Sequence, residues 1–223
     1  MNRLYTLLLL GLATGCASTP EAQHTFSANS IAVTAHPLAT AAARDVLARG
    51  GNAADAAVAA GMMLAVVEPS MSHLGGRTQI LVRSPDGTYQ GYNGMTEVPA
   101  SYAAPDEPVG QGYGTIATPG VVAGLGRLHA EHGSLSWSAL LQEPAKVAAD
   151  GFALLPGAAA RHESGLELFR ENHGFPQTFI KEDGSTYDAG DVLQQPALAH
   201  TIARLADAGA DEIYNGQIAQ KIA

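Results

Sequence analysis

A mixed fold of the α/β (α+β) class is predicted by three stretches of this sequence. Between His36 and Gly76 lie two alanine-rich segments of helical length, joined by Gly50-Gly51 and closed by Gly75-Gly76. Thr78 to Ser84 alternates Ile80 and Val82 with Gln79, Leu81 and Arg83, the two-residue period of a strand; the turn residues Pro85-Asp86-Gly87-Thr88 lead back into a second strand, Tyr89 to Asn93. From Val121 onward apolar residues recur at helical spacing in segment after segment.

The 223 residues suffice for a core that needs no disulfide staple. A formal charge of -9 without any Lys/Arg cluster argues against nucleic acid and anionic lipid head groups as partners, because both require a basic footprint. A small molecule or peptide is the expected substrate. The single cysteine, Cys16, closes a segment that resembles a bacterial lipoprotein signal. Asn2-Arg3 form a short cationic start, Leu4 to Leu12 an apolar run too short to span a bilayer, and Ala13-Thr14-Gly15 the small residues before the cysteine, with Ala13 where leucine is usual. The expected organisation is a signal over residues 1–16, a polar tether over 17–29 and a partial domain over 30–223. Ala17-Ser18 carry no aspartate, so the expected location is periplasmic, on the outer membrane, with the lipid on Cys16 as the sole membrane contact.

Ser30 to Ala35, with Ile31 and Val33 on alternate positions, is expected as a short strand. His36-Pro37 breaks it, and proline suits a first helical turn, where its missing N–H has no partner to lose. The first helix, Leu38 to Arg49, is expected to bury Leu38, Ala42 and Val46 with Ala39 and Ala43, and Gly50-Gly51 to stop it in a left-handed turn. Asn52 is expected to cap the second helix, Ala53 to Val67, with Asp55 complementing the dipole in its first turn. That helix has no polar face and is therefore buried on most sides. Gly61 within it costs up to about 1 kcal/mol relative to alanine, which marks a close approach by a neighbour. Ser70 to Gly76 is a loop, Glu97 to Gly112 a proline-rich loop and Tyr113 to Ala117 a short strand. Helices follow over Val121 to His132 and from Trp137, with Pro144 interrupting before Ala145 to Asp150. Gly151 to Pro156 is a connector, Gly157 to Asn172 a helix and Asp183-Gly184 a hairpin-like turn. Pro196 to Gly209 and Ile213 to Ile222 are the last helical segments.

His36, His129, His132 and His200 lack ligand spacing, so no metal site is expected. The glycines at 75, 76, 120, 124 and 126 do not form a nucleotide loop, since no Gly-x-Gly-x-x-Gly joins a strand to a helix. Asp55 is read as a structural acid that also bonds a neighbouring loop.

Several motifs carry a family resemblance. Gly50 to Ala59 matches Gly-Gly-Asn-Ala-x-Asp-Ala-Ala-Val-Ala, and Pro69 to Gly76 a Pro-x-x-x-x-x-Gly-Gly loop. Pro119 to Gly124 matches Pro-Gly-Val-Val-Ala-Gly, and Pro144, Ala145, Gly151 and Phe152 a Pro-Ala plus Gly-Phe signature. Gln195 to Thr201 and Tyr214 to Ala219 complete six in order. Residues 31 to 223 thus resemble the N-terminal part of the large subunit of a γ-glutamyltransferase (γ-glutamyltranspeptidase, glutathione hydrolase). The resemblance implies an Ntn-hydrolase αββα sandwich, present here in part, made as a precursor that cuts itself into two subunits. It implies a γ-glutamyl substrate of the glutathione type, a threonine nucleophile leading the small subunit, and no metal or organic cofactor. It requires no histidine base, so His73, in the Ser70 to Gly76 loop, is read as an exposed or backbone-bonded residue.

Two departures bear on the site. The chain contains no Thr-Thr or Thr-Ser pair, so no catalytic residue is expected within it, and it is expected to be an inactive piece of a longer precursor, the alternative being a truncated non-catalytic domain. The family's Arg-Glu-x-Ala-Pro motif, whose arginine holds the substrate's α-carboxylate, aligns with Met95-Thr96-Glu97-Val98-Pro99. Methionine cannot form the bidentate pair that a guanidinium gives a carboxylate. Arg77, directly after Gly76 where the family has another glycine, is the candidate replacement, with Met95 and Thr96 as the other candidate substrate-binding residues. The missing arginine also admits an altered acyl group, such as a β-lactam side chain or poly-γ-glutamate. Metabolic labelling with a fatty-acid precursor is expected to mark the exported protein and to fail in Cys16→Ser; an unlabelled wild type contradicts the lipoprotein reading.

Overall fold

The computed structural model of the chain describes residues 30–104, 106–107, 110, 112–171 and 176–223. The signal, Cys16 and the tether lie outside the described residues. Helix α1 (Pro37–Ala48) begins at an unusual cap: His36 Nδ1 accepts the N–H of Leu38 at 3.2 Å. Its buried face is Ala39, Ala42, Ala43 and Val46, while Leu38 is only half-buried, and Gly50 takes φ +87° in the turn that follows. Helix α2 (Ala53–Val67) runs through the centre, with Val58, Met62, Met63, Val66 and Val67 almost fully enclosed. Its alanines let α1, α3 (Val121–His132) and α4 (Trp137–Asp150) approach closely on separate sides. No helix of the described residues is long and apolar enough to cross a membrane.

Strands β1 (Thr78–Arg83) and β2 (Tyr89–Gly94) form an antiparallel hairpin with Thr78 opposite Gly94 and Arg83 opposite Tyr89. One face, carrying Ile80, Val82 and Tyr92, packs toward α3. The opposite face leaves Leu81 and Tyr89 exposed. A second pair, β3 (Phe152–Ala153) and β4 (Val192–Leu193), is only two residues long and sits beside α4. Between them lie α5 (Pro156–Ser164), α6 (Leu166–Glu171) and the short α7 (Pro176–Phe179). Helix α8 (Pro196–Ala208) packs on α4, and α9 (Glu212–Asn215) and α10 (Gln217–Ile222) follow.

Several expectations need correction. Residues 30–35 form no strand: no described strand pairs with them, and Ile31 and Val33 stand 68% and 80% exposed. Tyr113 to Ala117 is not a strand either; Tyr113–Thr115 is a 3-10 turn closed by the Thr115 N–H and hydroxyl on the Gly112 carbonyl, at 3.0 and 2.8 Å. Pro144 does not interrupt its helix, because Pro144 is buried with Leu140, Leu141 and Ala148 and packing outweighs the lost backbone bond. The helix expected over Gly157 to Asn172 divides at Gly165, which closes α5 on the carbonyls of Arg161 and His162. The last segment divides at Gly216, where the Glu212 carboxylate fills the space a Cβ would need.

Asp55 fastens the N-terminus of α2 to the turn between α3 and α4. Asn52 caps Ala54 and Asp55, and Asp55 Oδ2 accepts the Asn52 N–H at 2.9 Å, a reciprocal capping box. The same carboxylate accepts the Ser134 hydroxyl at 2.5 Å and the N–H groups of Ser134 and Leu135. Burial alone would raise the Asp55 pKa, but these hydrogen bonds outweigh it and hold the carboxyl below its ordinary value. A carboxyl whose pKa is lowered by folding contributes stability above its unfolded pKa and loses it as pH falls through the folded one. Asp55→Ala is therefore expected to destabilise the fold by about 2–4 kcal/mol near neutral pH. Denaturant titrations should show that gap narrowing below about pH 4. A gap constant with pH would contradict the assignment.

Candidate functional site

The glycine motifs meet at one point. The backbone leaving β2 crosses the first turn of α3 so closely that a Cβ on Gly120 would collide with the carbonyl oxygens of Gly94 and Met95. A Cβ on Gly94 would stand 2.7 Å from the Gly120 oxygen. Glycine is required on both sides of this crossing. Helix α3 has no side-chain cap from Gly120; instead its N–H groups at Gly120 and Val121 donate to the Gly76 carbonyl at 2.9 and 3.2 Å. The Ala123 N–H donates to the Tyr214 hydroxyl, which itself donates to the Pro119 carbonyl, both at 2.9 Å. Backbone bonds between Glu97 and Thr118, at 2.8 and 3.0 Å, extend the crossing outward.

These contacts frame a cleft of about 550 Å³. Its apolar wall is Gly61, Leu64 and Ala65 of α2 with Val121 and Leu125 of α3. The loop before β1 supplies Met71, Ser72, His73, Gly76 and Arg77, and Thr78 and Thr96 close the ring. Two of the candidate binding residues, Arg77 and Thr96, thus share one cleft. Met95 is half-buried and outside the lining. Arg77 is exposed and forms no ion pair among the described residues, and none of the described lining residues is acidic.

The other candidates are structural. His36 caps α1, the His129 ring bonds the Leu135 carbonyl at 2.8 Å, and His132 bonds the Tyr92 hydroxyl at 2.6 Å. Among the described residues no His/Cys/Asp/Glu group could hold a metal ion. Two residues with positioning roles escaped sequence reasoning although their motifs were visible. Gln195 donates to the Val66 carbonyl at 2.7 Å, satisfying the end of α2, and Tyr214 caps α3 beside the cleft. Beyond that end, Glu68 pairs with Arg161 of α5 at 2.6 Å.

The sequence profile of the family described as Gamma-glutamyltranspeptidase matches residues 39–223. The chain belongs to this gamma-glutamyltranspeptidase family. It is 32% identical to the glutathione hydrolase proenzyme of Escherichia coli over 195 residues, covering 83% of this chain and 34% of that protein. It is 33% identical to the glutathione hydrolase of Aspergillus flavus over 190 residues, covering 83% of this chain and 32% of that protein. The fold is similar to the crystal structure of the Helicobacter pylori gamma-glutamyltranspeptidase, with TM-score 0.84 and 28% identity over 89% of this chain and 60% of that one. It is also similar to the Bacillus anthracis transpeptidase enzyme CapD, with TM-score 0.73 and 28% identity over 86% of this chain and 62% of that one. This gamma-glutamyltranspeptidase-family chain therefore has a mixed α/β fold of the Ntn-hydrolase type, and it spans about a third of the length of these curated relatives.

Proposed function

We propose that this chain supplies the large-subunit side of an active site that transfers or hydrolyses γ-glutamyl groups of glutathione-type substrates. Its partner in this reading is a small subunit from the same precursor, led by a threonine. The threonine's α-amine takes the proton of its own hydroxyl, the oxygen attacks the γ-carbonyl carbon, and backbone N–H groups hold the oxyanion. The amine leaves with a proton, and water or an amino acid then resolves the ester. No metal or cofactor is needed for these steps. The exported, lipid-anchored location read from residues 1–16 belongs to the same proposal.

The observation that carries it is Arg77, a cation without an acidic partner among the described residues, standing in a cleft at the family's glycine motifs. In this role Arg77 receives the substrate α-carboxylate in place of the arginine that the family has at Met95. The methionine itself favours a second reading, an acylase of altered specificity acting on a β-lactam side chain or poly-γ-glutamate, since a thioether offers a carboxylate nothing. The complete translation product is expected to release aniline from a γ-glutamyl anilide. In it Arg77→Ala should raise KM about 10- to 100-fold, the loss of a charge-assisted bond worth about 1.5–3 kcal/mol. The melting temperature should not change, and an unchanged KM would rule Arg77 out.

A further inference from the structure

The cleft holds a second cation-forming group that the γ-glutamyl reading leaves unused. His73 lies four residues before Arg77, and the Gly76 N–H bonds the His73 carbonyl at 3.0 Å, turning the chain so that both side chains reach the same rim. Its imidazole lies over the glycine pair: a Cβ built on Gly75 would stand 3.2 Å from Nδ1 and one on Gly76 would stand 3.7 Å from Cε1. The two glycines thus leave the space the ring occupies. The ring is exposed and hydrogen-bonds no other described residue, whereas His36, His129 and His132 all spend a ring nitrogen on structure.

The surroundings make this ring sensitive to an anion. Helix α2 faces it with Leu64 and Ala65, α3 with Val121 and Leu125, and the crossing segment with Thr96, none of which titrates. Arg77 is the only other charged group of the described lining. In a chain of formal charge -9, a rim with cation-forming groups and no acid is a local reversal of sign. Such a rim draws anions and repels cations. One guanidinium accounts for one carboxylate; an imidazole N–H beside it can donate to a second.

We infer that His73 and Arg77 form a two-point anion rim that selects substrates with two carboxylates, such as γ-glutamyl peptides. The inference rests on the γ-glutamyl reading.

The test uses the complete enzyme and two chromogenic probes, γ-glutamyl-4-nitroanilide and its 3-carboxy derivative, whose second carboxylate sits on the leaving group. The quantity read is the ratio of their KM values. At one fixed pH the wild type should show a KM for the carboxylated probe about 5-fold or more below that for the plain one. His73→Gln should remove that preference, and His73→Lys should keep it. Equal KM values for the two probes in the wild type, or a preference that survives in His73→Gln, overturn the inference while leaving the γ-glutamyl reading intact. Turnover of neither probe by the wild type overturns that reading and this inference with it.

Discussion

The carbonyl oxygen of Gly76, accepting the N–H groups of Gly120 and Val121, is the bond on which the geometry of the cleft depends. It ends one loop, starts one helix and fixes the direction of β1 in the same place. The arrangement works only because Gly94 and Gly120 bring two backbones within a distance no Cβ would tolerate. The first turn of any helix leaves N–H groups unpaired. In α3 those of Gly120 and Val121 donate to Gly76 and that of Ala123 to the Tyr214 hydroxyl, two groups far apart in sequence, so the helix start is tied to both neighbouring segments at once. Arg77 and Thr96 inherit their positions from this junction.

Helix α2 provides the wall against which the junction is built, and both of its ends are secured by polar side chains, of which Asp55 and Gln195 are buried. Asn52 and Asp55 hold the first turn to the α3–α4 connection; the Gln195 amide takes the Val66 carbonyl near the last. The interior between them is alanine, valine and methionine with Gly61 and Leu64, which contributes close packing but little directional information. The directional information comes from the ends. Removing one such polar partner leaves an unsatisfied buried group, which is costlier than losing an apolar contact of similar size. The motif positions Asn52, Asp55, Gln195 and Tyr214 therefore belong to architecture, whereas Arg77 and Thr96 line the cleft.

Helices α1, α2 and α3 and the β1–β2 hairpin were legible in the sequence because each has strong periodicity and clear caps or turns. The misread segments lacked one of these supports. Residues 30–35 alternate like a strand, yet a strand exists only with a partner, and none of the described residues supplies one. Pro144 is a local helix breaker overruled by the packing of Leu140, Leu141 and Ala148. The two-residue pairing of Phe152 with Leu193 is too short to show any period. At the site, the motifs located Arg77 and Thr96, but that Met95 stands outside the cleft depends on how the chain crosses α3, which no local pattern encodes.

In the proposed reading, Arg77 supplies the charge that the family's arginine supplies at the position of Met95. The most direct measurement of this claim is substrate discrimination by the complete enzyme between γ-glutamyl anilide and 4-aminobutanoyl anilide, which lacks only the α-carboxylate. The account predicts a preference of about 10-fold or more in kcat/KM for the γ-glutamyl compound, most of it lost in Arg77→Ala. Equal turnover of the two compounds, or a preference unchanged in the variant, would contradict it.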